Sequence, residues 1–247
     1  MANKQKNDVA SQMPTSKSRL KLFIPLSLAI VLAAYALTRL GVINLPRHYD
    51  PFALPDLAER PNFLTSFKLK LVDSSVENCR KAFFNAGKLV KIEPIQVENP
   101  RCIKRDTIKL ASLSVAKLQS EETRCAVAAR LFMWERNVIQ PAATQYFNEP
   151  VVEIIHFGSY SCRTMRGSSA MSEHATANAF DIAGFQLRSG KRVTVRQNWQ
   201  GAGPTAKFLH DARDGACDYF NLVLSPDYNA DHADHLHVDM GWIRGCH

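Results

Sequence analysis

Glycine and proline are scarce, 11 and 12 of 247 residues, which excludes a collagen-like or low-complexity chain. No C-x-x-C pair occurs, which argues against a cysteine zinc cluster or a thioredoxin-like redox centre. No internal repeat is evident. Acidic residues are almost missing from the start of the chain. Residues 1–47 hold seven Lys/Arg against one acid, Asp8, so +6 of the formal +8 lies there. The remaining 200 residues carry 24 basic and 22 acidic groups, a balance that argues against a nucleic-acid partner. What is present is ordinary globular usage, 46% hydrophobic and 22% charged, so the chain is expected to fold around a real core.

Charge is also missing from Leu22 to Thr38, 17 residues that reach about the minimum length for crossing the hydrocarbon core. Lys17, Arg19 and Lys21 precede them. The positive-inside preference then puts the N-terminus in the cytoplasm and everything after about residue 40 across the membrane. Two readings stay open. Residues 22–40 form an uncleaved anchor behind a basic tail at 1–21, or they belong to a signal peptide cut after Ala36, where Ala34-Tyr35-Ala36 fits a small-x-small site. Cysteine usage agrees with export. All six (Cys79, Cys102, Cys125, Cys162, Cys217 and Cys246) follow the apolar segment, and an even number in an oxidising compartment suggests three disulfides. Cys217 and Cys246 each flank a predicted C-terminal strand and form the favoured pair.

Residues 41–65, with four prolines and no period, read as a linker. The domain is expected over 66–247. The pattern predicts helices over 75–86, closed by Gly87, over 121–138, and over 204–213. Strands are predicted over 88–97, 151–157, 178–185, 193–195, 219–224 and 235–240. Early helices and late strands indicate an α+β fold. An N-terminal transmembrane helix is expected to lead into a domain whose helices pack on a small, mainly antiparallel sheet carrying a zinc site.

Two stretches carry chemistry. In DHADHLHVDM, side chains two apart on a strand point the same way, so His235 and His237 share a face that Asp239 continues. Solvated histidines on an edge strand are the plain alternative. Upstream, His174 lies just before a predicted strand that holds Asp181 between Phe180 and Ile182. A carboxylate in such an apolar run is costly to bury unless it is paired or binds a cation. Small neighbours, Ala179 and Ala183, leave it room. If Asp181 meets the histidine face across a sheet, a His/Asp/His set leaves zinc an open fourth position.

The stretches SEHATANAFDIAGF and DHADHLHVDMG resemble the extensin-like C-terminal domain of exported bacterial proteins. That domain in turn resembles the zinc peptidases that cut D-amino-acid bonds in bacterial cell walls. These include D-alanyl-D-alanine carboxypeptidases and murein endopeptidases, with the pattern Ser-x-His-x-x-Gly-x-Ala-x-Asp and a later zinc histidine. Ser172, His174, Ala179 and Asp181 match, while Ala177 stands where glycine is usual. The resemblance implies His174, Asp181 and His237 as zinc ligands, and Asp234 or His235 as general base. It implies Arg163 (alternatively Arg166), in Gly158-Ser159-Tyr160-Ser161-Cys162-Arg163, as the group polarising the scissile carbonyl or holding the substrate carboxylate. A membrane-anchored, zinc-dependent hydrolase facing the periplasm and acting on peptide bonds of peptidoglycan is then expected. A non-catalytic zinc-containing binding or scaffold domain of the cell envelope is the alternative.

Overall fold

A computed structural model describes residues 16–247, so most of the basic tail expected at 1–21 lies outside the described residues. Two compact units are distinguished, one ending at Pro46 and the other running from Arg47 to His247. The described part of the first is helix α1 (Ser16–Arg39), after which Gly41 turns with φ +72°. Among the described residues, no helix is long and apolar enough to cross a membrane.

The second unit begins earlier than the sequence suggests. The proline-rich stretch read as a linker is packed from Arg47 onward. Leu57 is fully buried, Lys68 Nζ donates to the Arg47 carbonyl at 2.7 Å, and His48 Nδ1 lies 2.8 Å from Glu59 Oε2. Helices α2 (Thr65–Asp73) and α3 (Val76–Asn85) follow. The Ser75 hydroxyl caps α3 by accepting from Asn78 N–H at 3.1 Å, and Gly87, at φ +72°, ends it.

Strands β1 (Lys91–Ile92), β2 (Gln96–Asn99), β3 (Cys102–Lys104), β4 (Thr107–Ser112) and β5 (Lys117–Arg124) come next. The helix expected over 121–138 therefore starts late. Residues 121–124 finish β5, where Glu122 faces Lys109 in register and bonds Lys104 and Thr107, so charge pairing across the sheet overrides helix propensity. Helix α4 (Cys125–Trp134) is apolar almost all round and runs through the core. Its one cation, Arg130, is satisfied by a bidentate pair with Asp73, at 2.8 and 2.7 Å. A π turn (Glu135–Ile139) leads into α5 (Gln140–Phe147), absorbing Pro141 without a break. Fully buried Glu135 accepts from Ser114, Ala116 and Gln140.

The rest comprises β6 (Val151–Gly158), β7 (Ala179–Leu187), β8 (Arg192–Thr194), α6 (Val195–Asn198), α7 (Pro204–Ala216), β9 (Leu222–Leu224), β10 (Leu236–Asp239) and β11 (Gly245–Cys246). The sheet is larger than expected, with nine strands in the order β1-β4-β5-β6-β7-β10-β9-β11 and β8 paired to β7. It is mainly antiparallel; β5–β6 and β9–β11 are parallel. Phe83, Phe132, Trp134, Phe180, Phe185 and Phe208 form one core, so the α+β class holds. Strands β2 and β3 make a separate hairpin.

Three disulfides staple the unit. Cys79–Cys125 joins α3 to the start of α4, Cys102–Cys162 ties the hairpin to the segment after β6, and Cys217–Cys246 joins the end of α7 to β11. The last is the pair favoured from sequence.

Candidate metal centre

Strands β7 and β10 are antiparallel neighbours, and their register sets His237 directly opposite Asp181 and Asp239 opposite Ala179. Directly opposed side chains on one face have Cβ atoms about 4.5–5.5 Å apart, so the register alone brings an imidazole to a carboxylate. β10 lies inside the sheet, between β7 and β9, and His237 is buried. The edge-strand alternative is therefore overturned.

The third group arrives from a 3₁₀ turn, Glu173–Thr176. The Ser172 hydroxyl accepts from His174 N–H at 3.3 Å and opens the turn. Ala177 closes it in the left-handed region, φ +54° and ψ +29°. That backbone state is why glycine suits this position. Here alanine holds it, fixed by its carbonyl, which accepts from Arg124 N–H at 2.9 Å and from the Thr123 and Ser159 hydroxyls, each at 3.2 Å.

Three donor atoms converge. His174 Nε2 lies 3.1 Å from Asp181 Oδ1 and 3.1 Å from His237 Nδ1, which is itself 2.9 Å from Asp181 Oδ1. Each imidazole's other nitrogen is occupied. His174 Nδ1 sits 2.8 Å from the Ser159 carbonyl, which can only accept, so Nδ1 carries the proton. His237 Nε2 lies 3.2 Å from Asp239 Oδ2 and donates to it. With both rings neutral, three lone pairs point at one spot in a buried site. Only a cation or an extra proton relieves that arrangement.

The chemistry of the set fits a metal. Bonds of about 2.0–2.1 Å at tetrahedral angles put neighbouring donors about 3.3 Å apart, close to the spacings seen. Outer partners that fix each histidine's tautomer are the usual support of such a centre. The same polarity shows in the ionisation of the metal-free groups. Burial opposes charge on His237, but hydrogen bonds to Asp181 and Asp239 outweigh it and push its pKa up to about 9. Burial likewise opposes charge on Asp181, yet hydrogen bonds from His174 and His237 hold its carboxyl well below the usual range.

His235, just before β10, places Nε2 3.6 Å from Asp181 Oδ1, while its Nδ1 is 2.8 Å from Asp234 Oδ1. Asp234 thus stands behind His235. Neighbouring His232 has its pKa pushed down to about 4, by burial first and then by the facing His235 and His237. Arg163 is not brought in. It is exposed, its Nη1 reaches only the Thr164 carbonyl at 3.5 Å, and no hydrogen bond joins it to the cluster. Arg166 pairs with Asp231, in the loop that leads to His235. Sequence reasoning missed the Ser159 carbonyl, which carries no side-chain signal, and the role of Asp239, which the two-residue spacing from His237 could have shown.

The profile described as extensin-like protein C-terminus matches residues 77–247, a span that holds every group of this cluster. No curated protein and no solved structure matches the chain significantly.

Proposed function

Since the chain belongs to the family of extensin-like protein C-termini, we propose that its domain is a zinc-dependent hydrolase of the cell envelope, acting on peptide bonds of peptidoglycan. His174, Asp181 and His237 hold the zinc. The observation that carries this reading is the meeting of three lone pairs within 2.9–3.1 Å, with both outer imidazole nitrogens tied down. Three disulfides and the balanced charge of the domain agree with an exported protein. The uncharged run from Leu22 to Thr38 behind Lys17, Arg19 and Lys21 supports export of the domain to the periplasm, whether that run stays as an inner-membrane anchor or is cut after Ala36.

Zinc, when bound, would supply Lewis acidity and bring the pKa of a coordinated water to about 7. The protein supplies proton handling. His235 Nε2 faces the cluster and takes a proton there, while Asp234 fixes the ring through Nδ1–H and steadies the imidazolium that results. Asp234 therefore acts through His235. The imidazolium then returns its proton to the leaving amine.

The position of Arg163 favours a second reading, a zinc-containing binding or scaffold domain without turnover. No hydrogen bond brings that guanidinium to where a carbonyl would be polarised. One experiment separates the two. Zinc is quantified in protein purified without added metal, and the protein is incubated with purified peptidoglycan sacculi whose fragments are then analysed. Release of stem-peptide fragments, lost in His237→Ala and after chelation, establishes the hydrolase. Stoichiometric zinc without release leaves the binding domain. Absence of zinc and of release removes both.

A further inference from the structure

The even charge balance of the domain conceals a local concentration. Arg101, Ile103 and Arg105 alternate along β3 and its ends, so they share one face of the hairpin. The opposite face is occupied. Cys102 is in the disulfide to Cys162, and Lys104 Nζ sits 3.1 Å from Glu122 Oε2 and 4.8 Å from the Tyr160 ring centre. Alternation therefore leaves the two arginines on the side without a carboxylate. Facing them is Arg124. The three arginines line a cavity of about 280 Å³ with Pro100, Ile103 and Thr176, and no acidic residue contributes to it.

Among the described residues, none of the three forms an ion pair. Arg124 adds a second sign. Its Nε is cut off from solvent yet has no hydrogen-bond partner, a costly state for a charged donor. Helix α4 starts immediately after Arg124, with no acid in its first turn and no side-chain cap, so the positive end of its dipole is uncompensated there.

We propose that this cavity binds a phosphate-type oxyanion. Planar guanidinium forks match tetrahedral oxyanions, and three forks offer more donors than a two-oxygen carboxylate can accept. The volume suits a phosphoryl group with little attached, below the range of most small-molecule pockets. The walls are built to hold shape: the Cys102–Cys162 disulfide pins the hairpin, and Arg124 N–H is bonded to the Ala177 carbonyl. Phosphate free in solution and the phosphodiester of a lipid headgroup share this chemistry. The proposal stands apart from the metal centre and from any hydrolysis there.

The test uses the full chain and calorimetric titration with inorganic phosphate, at ionic strength held constant with sodium chloride. Phosphate is expected to bind saturably with one site per chain. Substituting the exposed pair, R101Q/R105Q, should weaken it about tenfold or more, as loss of charge-assisted hydrogen bonds implies. A control removing two exposed arginines elsewhere, R188Q/R196Q, lowers net charge equally and should leave affinity within about twofold. A parallel titration with monomeric short-chain phosphatidylglycerol identifies the source: tighter binding than phosphate marks a headgroup, weaker binding a soluble phosphate, and either supports the site. No saturable binding of either probe, unchanged affinity in R101Q/R105Q, or equal weakening in the control would each overturn it.

Discussion

Loading the metal-free protein with zinc should release at least one proton at pH 7, the one held by His237. His237 Nδ1 must offer a lone pair to the metal while its Nε2–H stays on Asp239. Without metal, the attraction of Asp181 and Asp239 overcomes burial and raises the pKa to about 9. At pH 7 the ring is then about 99% protonated, and the metal must expel that proton. Asp181, held well below the usual carboxylate range, has none to give. The two pH units between 7 and 9 correspond to about 3 kcal/mol of binding free energy lost to the competing proton at neutrality. Apparent zinc affinity, measured against a competing chelator of known pH dependence, should therefore climb about tenfold per pH unit from 7 and level off above about 9. Titration calorimetry in buffers of different ionisation enthalpy counts the proton directly. Zero release at pH 7, or an affinity flat from pH 7 to 9, would refute the assignment of Nδ1 as a ligand.

Linkage extends to the metal-free fold. The raised pKa of His237 contributes stability that is fully present below about 6.5 and disappears as pH rises through about 9. The depressed pKa of Asp181 contributes stability present above about 4 and lost as pH falls further. Urea midpoints of the metal-free protein, followed by circular dichroism, should thus peak between about pH 4 and 6.5, and a maximum above pH 8 would contradict this. Asp73→Ala leaves the Arg130 guanidinium buried and should cost about 3 kcal/mol, read as a lower denaturation midpoint at unchanged slope. At Ala177, glycine relieves about 1 kcal/mol of left-handed strain but loses a buried methyl worth about 0.8 kcal/mol, so Ala177→Gly should be nearly neutral. Ala177→Val should cost more than about 2 kcal/mol, because branching at Cβ worsens the same strain, and near-equal stability of the two variants would count against the left-handed assignment. Reducing Cys79–Cys125, which closes a 46-residue separation, should remove about 3–4 kcal/mol, measurable as a drop in urea midpoint for Cys79→Ser/Cys125→Ser.

The late strands and their histidines were legible because period-two patterning is local, and β6, β7, β8 and β10 lie where it places them. The pairing of Cys217 with Cys246 was legible for a similar reason, since both flank short C-terminal strands. The hairpin β4–β5 was not. Its strands carry Lys109, Glu121 and Glu122, and charged residues of both signs at close spacing look helical until a partner strand pairs them, as Lys109 pairs Glu122. The stretch from Arg47 to Leu64 read as a tether because prolines dominate it, although Leu57 is buried in the core. At the cluster, the identity of the groups was visible in sequence but not their outer support. The Ser159 carbonyl is a backbone atom, and the Asp234–His235 contact depends on where the chain straightens into β10. Arg163 lies apart for the converse reason: a motif position fixes a residue, not the direction of its side chain, which here reaches the Thr164 carbonyl.

The placement of β10 has a consequence for the order of assembly. It slots between β7 and β9, although β9 precedes it along the chain and does not touch β7. Until β10 is in place, the sheet holds a vacant lane, and Asp181 has His174 beside it but not His237. Every other strand of the main sheet but β11 precedes β10 along the chain. Insertion of one four-residue strand therefore joins β9 to β7 and sets His237 against Asp181 in a single step.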